Sequence, residues 1–389
     1  MPADERRRLS PKPFRIDIPD DTLVDLRHRL RHARWPDEIA PGWKYGVDRA
    51  YLRSLVDYWL DEYDWRQHEA ALNELDQYTV ELDSIDLHYV HVEGKGPNPM
   101  PLLLTHGWPS SFADFRQIIP MLTDPAKFGG DPRDAFSVVV PSMPGYGFSF
   151  KPNQRRFSVI DISDTLAKLM MEVLGYRSFG SQGGDWGAFV SSRLAYAYPQ
   201  HVRAIHLSLL TVPREKPAIA QPNAEELAFL EQLENWLREE TGYSQIMGTK
   251  PQTLAYAMTD SPIGLAAWIL EKFHSWTDCN GDPAAWLGRD TVITNIMMYW
   301  VTGAVGSSFW PYYARLHGPR IVPKGERIDT PCGYAEFPKE ILRPPRSLAE
   351  RMYGNITRWT KMRRGGHFPA LEQPAALAEE VRAFFRTVR

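Results

Sequence analysis

The chain has 389 residues, 43% of them hydrophobic and 12% aromatic, with a formal net charge of −3. That length allows one large domain with an insertion or two ordinary ones, and a near-neutral balance without a basic stripe excludes nucleic acid as an expected partner. No apolar run approaches the ~18 residues of a membrane span, the start MPADERRRLSPKPF lacks a signal peptide's apolar core, and Cys279 and Cys332 make neither a disulfide framework nor a metal cluster.

In chain order, Arg6-Arg7-Arg8 reads as a solvated tail, and the first seventy-odd residues read as helices. Asp20-Asp21 can cap a helix carrying Leu23, Leu26 and Leu30, and Trp35-Pro36 breaks the chain after it. A second helix is predicted over "YLRSLVDYWLDEYDWRQHEAALNEL", with Leu52, Leu55, Val56, Trp59 and Leu60 on its apolar side. At Tyr78 the period changes to the alternation of a hairpin, "YTVELDSIDLHYVHVEG". "MPLLLTHGWP" and "FSVVVPSMPGYG" then read as buried strands, each running into a Pro/Gly loop, with "SFADFRQIIPML" helical between them. The helix "VIDISDTLAKLMMEVLG" leads to "GSQGGDWGAF". From about Pro213 to Gly325 only helical, aromatic segments occur ("FLEQLENWLREETGY", "PIGLAAWILEKFHSW", "VITNIMMYWVTGAV"). Strand and helix return with "TPCGYAEFPKE" and "ITRWTKMRRGGHFPALEQPAALAEEVRAFFRTV". The layout predicts an α/β class, a mostly parallel sheet interrupted by a helical lid. Its expected parts are an N-terminal helical module (1–76), a core in two pieces (77–212 and 326–389) and the lid (213–325).

The stretch Gly183-Gly184-Asp185-Trp186-Gly187 keeps the G-x-nucleophile-x-G frame of a strained strand-to-helix turn but puts a carboxylate at its centre. The following "WGAFVSSRLAYAYP" is expected to be a helix whose Ala188, Ser191, Ser192 and Ala195 permit close packing, with its N-terminus favouring an anion at Asp185. "THGWPSS" follows a buried strand, where such a fold places half of an oxyanion hole. The backbone N–H groups of Trp108 and Trp186 are the expected donors, and His106, Gly107 and Pro109 are expected to line the substrate. His367 sits in a glycine-flanked loop ahead of the last helix, the place of a general base. The acid that orients it must precede it; spacing leaves Glu336 and Glu340 open, with Glu340 preferred because Pro338 ends the strand before it.

In combination, "LRHRLRHARWPDE" with the helix after it, "HGWP", "GGDWG", "FPKE" and "GGHFPALE" resemble the microsomal-type epoxide hydrolases over nearly the whole chain. The resemblance implies an α/β-hydrolase fold with a helical lid and an N-terminal wrapping segment. It places the nucleophile on Asp185, the acid on Glu340 and the base on His367. It also implies two lid tyrosines that hold the epoxide oxygen: Tyr243 in "TGYSQIMGTKP", and Tyr312 in "SSFWPYYARL", where the Trp-Pro-Tyr-Tyr context makes Tyr313 a competitor. Asp76 in "LNELDQY" stands where many relatives have proline, away from any catalytic role.

The implied reaction explains the carboxylate. An epoxide presents a saturated carbon with a strained C–O bond, which an already ionised carboxylate attacks without prior deprotonation. The expected product of that step is an ester on Asp185, the leaving oxygen being protonated by Tyr243 and Tyr312. Water activated by His367 and Glu340 then releases a vicinal diol, with no cofactor and no metal. The expected partners are a small apolar, styrene-oxide-like epoxide and water. A homo-oligomer stays open, no membrane anchor is expected, and the location is cytoplasmic. Related soluble bacterial enzymes serve detoxification or enediyne-type antibiotic biosynthesis. The rival on the same fold is a haloalkane or haloacid dehalogenase, which calls for halide-binding N–H donors in place of lid phenols. A rival of another class, a non-catalytic binding homologue, would have lost one of these residues.

Overall fold

A computed structural model describes residues 9–211 and 221–389. The Arg6–Arg8 cluster and the expected start of the lid at residue 213 lie outside the described residues. The described residues form nine strands: β1 (Lys12–Pro13), β2 (Gln77–Leu82), β3 (Ile85–Val92), β4 (Met100–Thr105), β5 (Phe136–Pro141), β6 (Phe179–Gly183), β7 (Val202–Leu207), β8 (Cys332–Glu336) and β9 (Ile356–Lys361). They form one sheet in the order β1–β2–β3–β5–β4–β6–β7–β8–β9. Pairing is antiparallel from β1 to β5 and parallel from β5 to β9. The β2–β3 hairpin turns through Asp83 and Ser84, both at positive φ, as a two-residue turn matched to strand twist requires.

The parallel strands β4, β5 and β6 are buried on both faces, hence their continuous apolar or small-residue runs. Their carboxyl ends, with those of β7, β8 and β9, lie along one edge of the sheet. The loops that carry residues 107–109, 185, 340 and 367 all leave that edge, where open α/β sheets bind ligands.

The helix Asp185–Ala197 crosses the sheet tightly. Ala188, Ser191, Ser192 and Ala195 are all buried, and Ser191 Oγ lies 2.8 Å from Ser181 Oγ on β6. A Cβ at Gly187 would stand 2.0 Å from the Thr105 carbonyl oxygen, and one at Gly183 2.3 Å from the Gly187 backbone. These glycines are therefore required by close approach of backbone to backbone.

Three sequence expectations need correction. The second helix is two, Arg49–Asp61 and Trp65–Leu72, because Asp64 caps a new one with its side chain on the Arg66 N–H. Asp20 and Asp21 occupy the first turn of Asp20–Arg31 behind Pro19 and make no side-chain cap. "SFADFRQIIPML" contains a 3₁₀ turn (Phe112–Phe115) before a short helix (Ile118–Thr123). Strands β1 and β7 carry no strong alternation and are not legible in the sequence; β1 exists through its pairing with β2, and β7 is buried between β6 and β8.

Between β7 and β8 the described residues form eight helices, from Ala224–Glu239 to Trp310–His317, over the carboxyl edge. The N-terminal helices tie to them: Arg29 pairs with Asp260 at 2.7 Å, and the Tyr51 and Tyr58 hydroxyls donate to Asp282 (2.6 Å) and Asp290 (2.8 Å). Among the described residues no helix is long and apolar enough to cross a membrane, both cysteines are free, and no cluster of three metal-ligating side chains occurs.

Gly187→Ala is expected to lower unfolding free energy by about 1–3 kcal/mol, the usual range for overpacking, measured by urea denaturation. A variant as stable as the parent would show that the helix moves off β4 without cost.

Candidate active site

β6 ends at Gly183, and the chain turns into its helix through Asp185, which takes φ +46°. That conformation is strained for a side chain other than glycine or asparagine and is kept where the surroundings over-determine it. The turn lifts the Asp185 carboxylate off the strand edge. Its Oδ1 accepts a 2.8 Å hydrogen bond from the Trp108 N–H, in the loop after β4 where the Trp108–Pro109 peptide is cis. Trp186 is the second residue of the helix, so its N–H has no acceptor within the helix. Of the two N–H groups expected as oxyanion donors, that of Trp108 thus reaches the carboxylate.

His367 Nε2 stands 3.5 Å from Asp185 Oδ2, and its Nδ1 lies 2.7 Å from Glu340 Oε1. Glu340 is buried beyond β8 and takes a second hydrogen bond from the Ile341 N–H. Glu336 accepts instead from the Trp359 indole, so geometry separates the two acids that spacing left open. Burial alone would lower the His367 pKa, but the facing charges of Glu340 and Asp185 outweigh it and raise it to about 10.

Tyr243, on the helix Gly242–Thr249, and Tyr312, on Trp310–His317, are buried with ring centres 5.7 Å apart. Trp108 stacks on Tyr243 at 5.5 Å and meets Tyr312 edge-on at 6.0 Å. Both phenols line a chamber of about 50 Å³ together with Asp185, Trp186, Phe189 and Leu233. Burial, then the neighbouring Tyr243 and Asp185, push the Tyr312 pKa well above its ordinary value, which keeps its proton on the oxygen. Tyr313 is not brought to the site. It stacks between Trp310 and His317 on the outer side of its helix.

His106, Gly107 and Pro109, expected to line the substrate, do not touch this chamber; His106 and Gly107 line a separate small cavity that also borders Asp185. His106 is turned into the core, accepting from the Met143 N–H at Nε2, and burial lowers its pKa to about 4. Gly107 is a packing position, since a Cβ there would fall 2.3 Å from Asp185.

Three residues without an expected role support the constellation. Glu372 accepts from the N–H groups of Gly366 and Phe368, either side of the base, and from Asp278 of the lid, each at 2.8–2.9 Å. Burial raises its pKa to about 7. The Trp276 carbonyl takes the His367 N–H at 2.9 Å. Lys272, buried and paired with Glu271, holds its ammonium 4.5 Å from the Tyr243 ring, a charge that favours the phenolate as the proton leaves. A lysine on the apolar face of "LAAWILEKFHSW" was a visible signal; Glu372 within "GGHFPALE" carried none beyond proximity. Glu372→Ala leaves three buried N–H groups without an acceptor and is expected to cost on the order of 2–4 kcal/mol, with kcat falling as the base loop loosens. Unchanged denaturation and unchanged kcat would show that the loop holds itself.

The comparisons agree with this fold. Residues 11–115 match the family model "Epoxide hydrolase N terminus", and residues 100–245 match "alpha/beta hydrolase fold". The chain is 43% identical to the "Putative epoxide hydrolase" of Stigmatella aurantiaca over 97% of this chain and 85% of that one. It is 34% identical to epoxide hydrolase 1 of Oryctolagus cuniculus over 96% of this chain and 88% of that one. Among solved structures, juvenile hormone epoxide hydrolase of Bombyx mori superposes with a TM-score of 0.87 at 29% identity, covering 100% of this chain and 97% of that one. The chain belongs to the microsomal-type epoxide hydrolase family of the α/β-hydrolase fold and is an epoxide hydrolase.

Proposed function

We propose that the enzyme converts an apolar, styrene-oxide-like epoxide to a vicinal diol in two steps through an ester on Asp185. The observation that carries this reading is the placement of one carboxylate between two phenols on its lid side and an imidazole at 3.5 Å. In the first step Asp185 attacks the less hindered or better activated epoxide carbon, and the C–O bond breaks as Tyr243 and Tyr312 donate to the leaving oxygen. In the second, the ester carbonyl is the electrophile. His367 takes a proton from water, the water oxygen adds to Cγ, and the oxyanion rests against the N–H groups of Trp108 and Trp186. Losing one such donor costs about 10²–10³ in rate.

The chamber wall supports the apolar substrate class: Phe189, Leu209, Leu210, Leu233, Trp236 and Ile341 surround the carboxylate and the two phenols. Trp186, Phe189 and Arg315 also line a second cleft of about 410 Å³, room for the distal part of a bulky epoxide.

A single turnover of styrene oxide in ¹⁸O-water is expected to place the label in the Asp185 carboxylate, with the first diol unlabelled. Label in that diol would mean direct attack by water. His367→Gln is expected to accumulate an Asp185 adduct detectable by mass spectrometry, because alkylation does not need the base. A variant that binds epoxide and forms no adduct would overturn this division of roles.

A further inference from the structure

A second cavity, of about 40 Å³, lies behind the nucleophile. Its wall includes Thr105, Asp114, Gln182, Asp185, Ser208 and His367. Of these, only Asp185 also lines the chamber that holds the two phenols. The carboxylate therefore divides two spaces, one with the oxygen donors and one with the base.

The rear space is built for water. Among the described residues, buried Gln182 Oε1 and Ser208 Oγ have no hydrogen-bond partner, and buried His367 Nε2 faces Asp185 Oδ2 at 3.5 Å without a closer one. Buried polar groups of this kind are satisfied by water, which needs two to four polar partners and ~10–15 Å³ of room. Thr105 is different: its hydroxyl is spent on the Gln182 and Gly187 carbonyls at 3.2 and 3.1 Å. Gln182 is the penultimate residue of β6 and Ser208 directly follows β7, so both project at the carboxyl edge beside the turn. The Ser208 N–H donates to the Gly183 carbonyl at 3.1 Å, and a Cβ at Gly184 would fall 2.5 Å from Ser208 Oγ. The hydroxyl is thus fixed against the residue that precedes the nucleophile.

We propose that this rear chamber holds the hydrolytic water, and that Ser208 and Gln182 are positioning residues that aim it at the ester carbon while His367 takes its proton. The proposal rests on the covalent route through Asp185. With the alkyl group on the lid side, water adds to Cγ from the opposite side. A bond forms between the water oxygen and Cγ, and one water proton passes to His367 Nε2. The bond from Cγ to the diol oxygen then breaks, and that oxygen takes a proton. The carboxylate is restored with one oxygen from water, and the remaining proton returns to the phenolate made in the first step.

The test is stopped-flow single turnover of styrene oxide, read by tryptophan fluorescence, for Ser208→Ala and Gln182→Met in the full chain. The alkylation rate constant is expected to stay within about threefold of the parent, while the hydrolysis rate constant falls about tenfold or more, the loss of a hydrogen bond to the attacking water. Because kcat/KM reports events only through alkylation, kcat and KM are expected to fall together with kcat/KM retained, a split that a general loosening of the site would not produce. Hydrolysis within threefold of the parent in both variants would overturn the proposal, as would kcat/KM falling in step with kcat. Absence of an Asp185 ester in the parent enzyme would overturn the covalent reading itself, a separate result.

Discussion

The backbone at Asp185 is held at φ +46° by contacts that leave it no alternative. Gly183 and Gly187 let strand and helix backbones touch, the Thr105 carbonyl closes on Gly187, and the Trp108 N–H binds the carboxylate. A relaxed turn at this point would lower the carboxylate towards the strand edge, out of line with both donors and base. The strain is local and is offset by the buried helix Asp185–Ala197, whose small residues seat it on the sheet. Trp108, Glu340 and His367 are placed relative to this turn by the same device, a loop leaving the carboxyl end of a strand in the same sheet.

His367 sits between two carboxylates, which suits a reaction whose charges change from step to step. Before the epoxide is attacked, Glu340 and Asp185 together raise the imidazole's pKa against the lowering effect of burial. On the proposed covalent route, esterification removes the charge on Asp185 and leaves Glu340 alone to support the ring. The pKa of His367 then falls, so the imidazole becomes a proton acceptor at the stage that needs a base. Glu340 remains hydrogen-bonded to Nδ1 throughout and keeps Nε2 turned towards the ester. The same linkage has a sign for stability. A raised folded-state pKa contributes stabilisation that is complete below the ordinary histidine range and is lost as pH climbs through about 10.

The proposed catalytic residues are legible because each sits in a short motif whose backbone demands are severe: a close-packed glycine frame around Asp185, a Pro/Gly loop at Trp108, glycines before His367. The supporting residues were not, because their roles come from tertiary approach. Glu372 looks like any acid in a first helical turn until the lid's Asp278 and the base loop are brought to it. Strand β7 was hidden because a central parallel strand needs no alternation, and "VRAIHL" is short and mixed in character. The choice of Glu340 over Glu336 needed the side-chain direction at the end of β8. Tyr312 and Tyr313, adjacent in sequence, point about 100° apart on a helix, so their separation depends on how Trp310–His317 is rotated against Gly242–Thr249.

That rotation explains the N-terminal segment. The two phenols must meet an oxygen bound at Asp185, yet they stand on lid helices remote from the sheet in sequence. The core fixes one side of the lid: the Tyr146 hydroxyl donates to the Ser308 carbonyl at 3.0 Å, and the Tyr299 hydroxyl to that of Ser110 at 2.8 Å. The N-terminal helices fix the other through Arg29, Tyr51 and Tyr58, and Trp43 stacks on His274 at 3.8 Å, two residues before Trp276. Trp276 in turn packs on both Tyr243 and His367. A continuous path of packed rings and hydrogen bonds therefore runs from the N-terminal module to the acid–base groups on both sides of the nucleophile. A lid attached at one side only would leave the phenol positions loose by the ångström that oxygen protonation cannot tolerate. The wrapping segment is best understood as part of the device that holds Tyr243 and Tyr312 in register with Asp185.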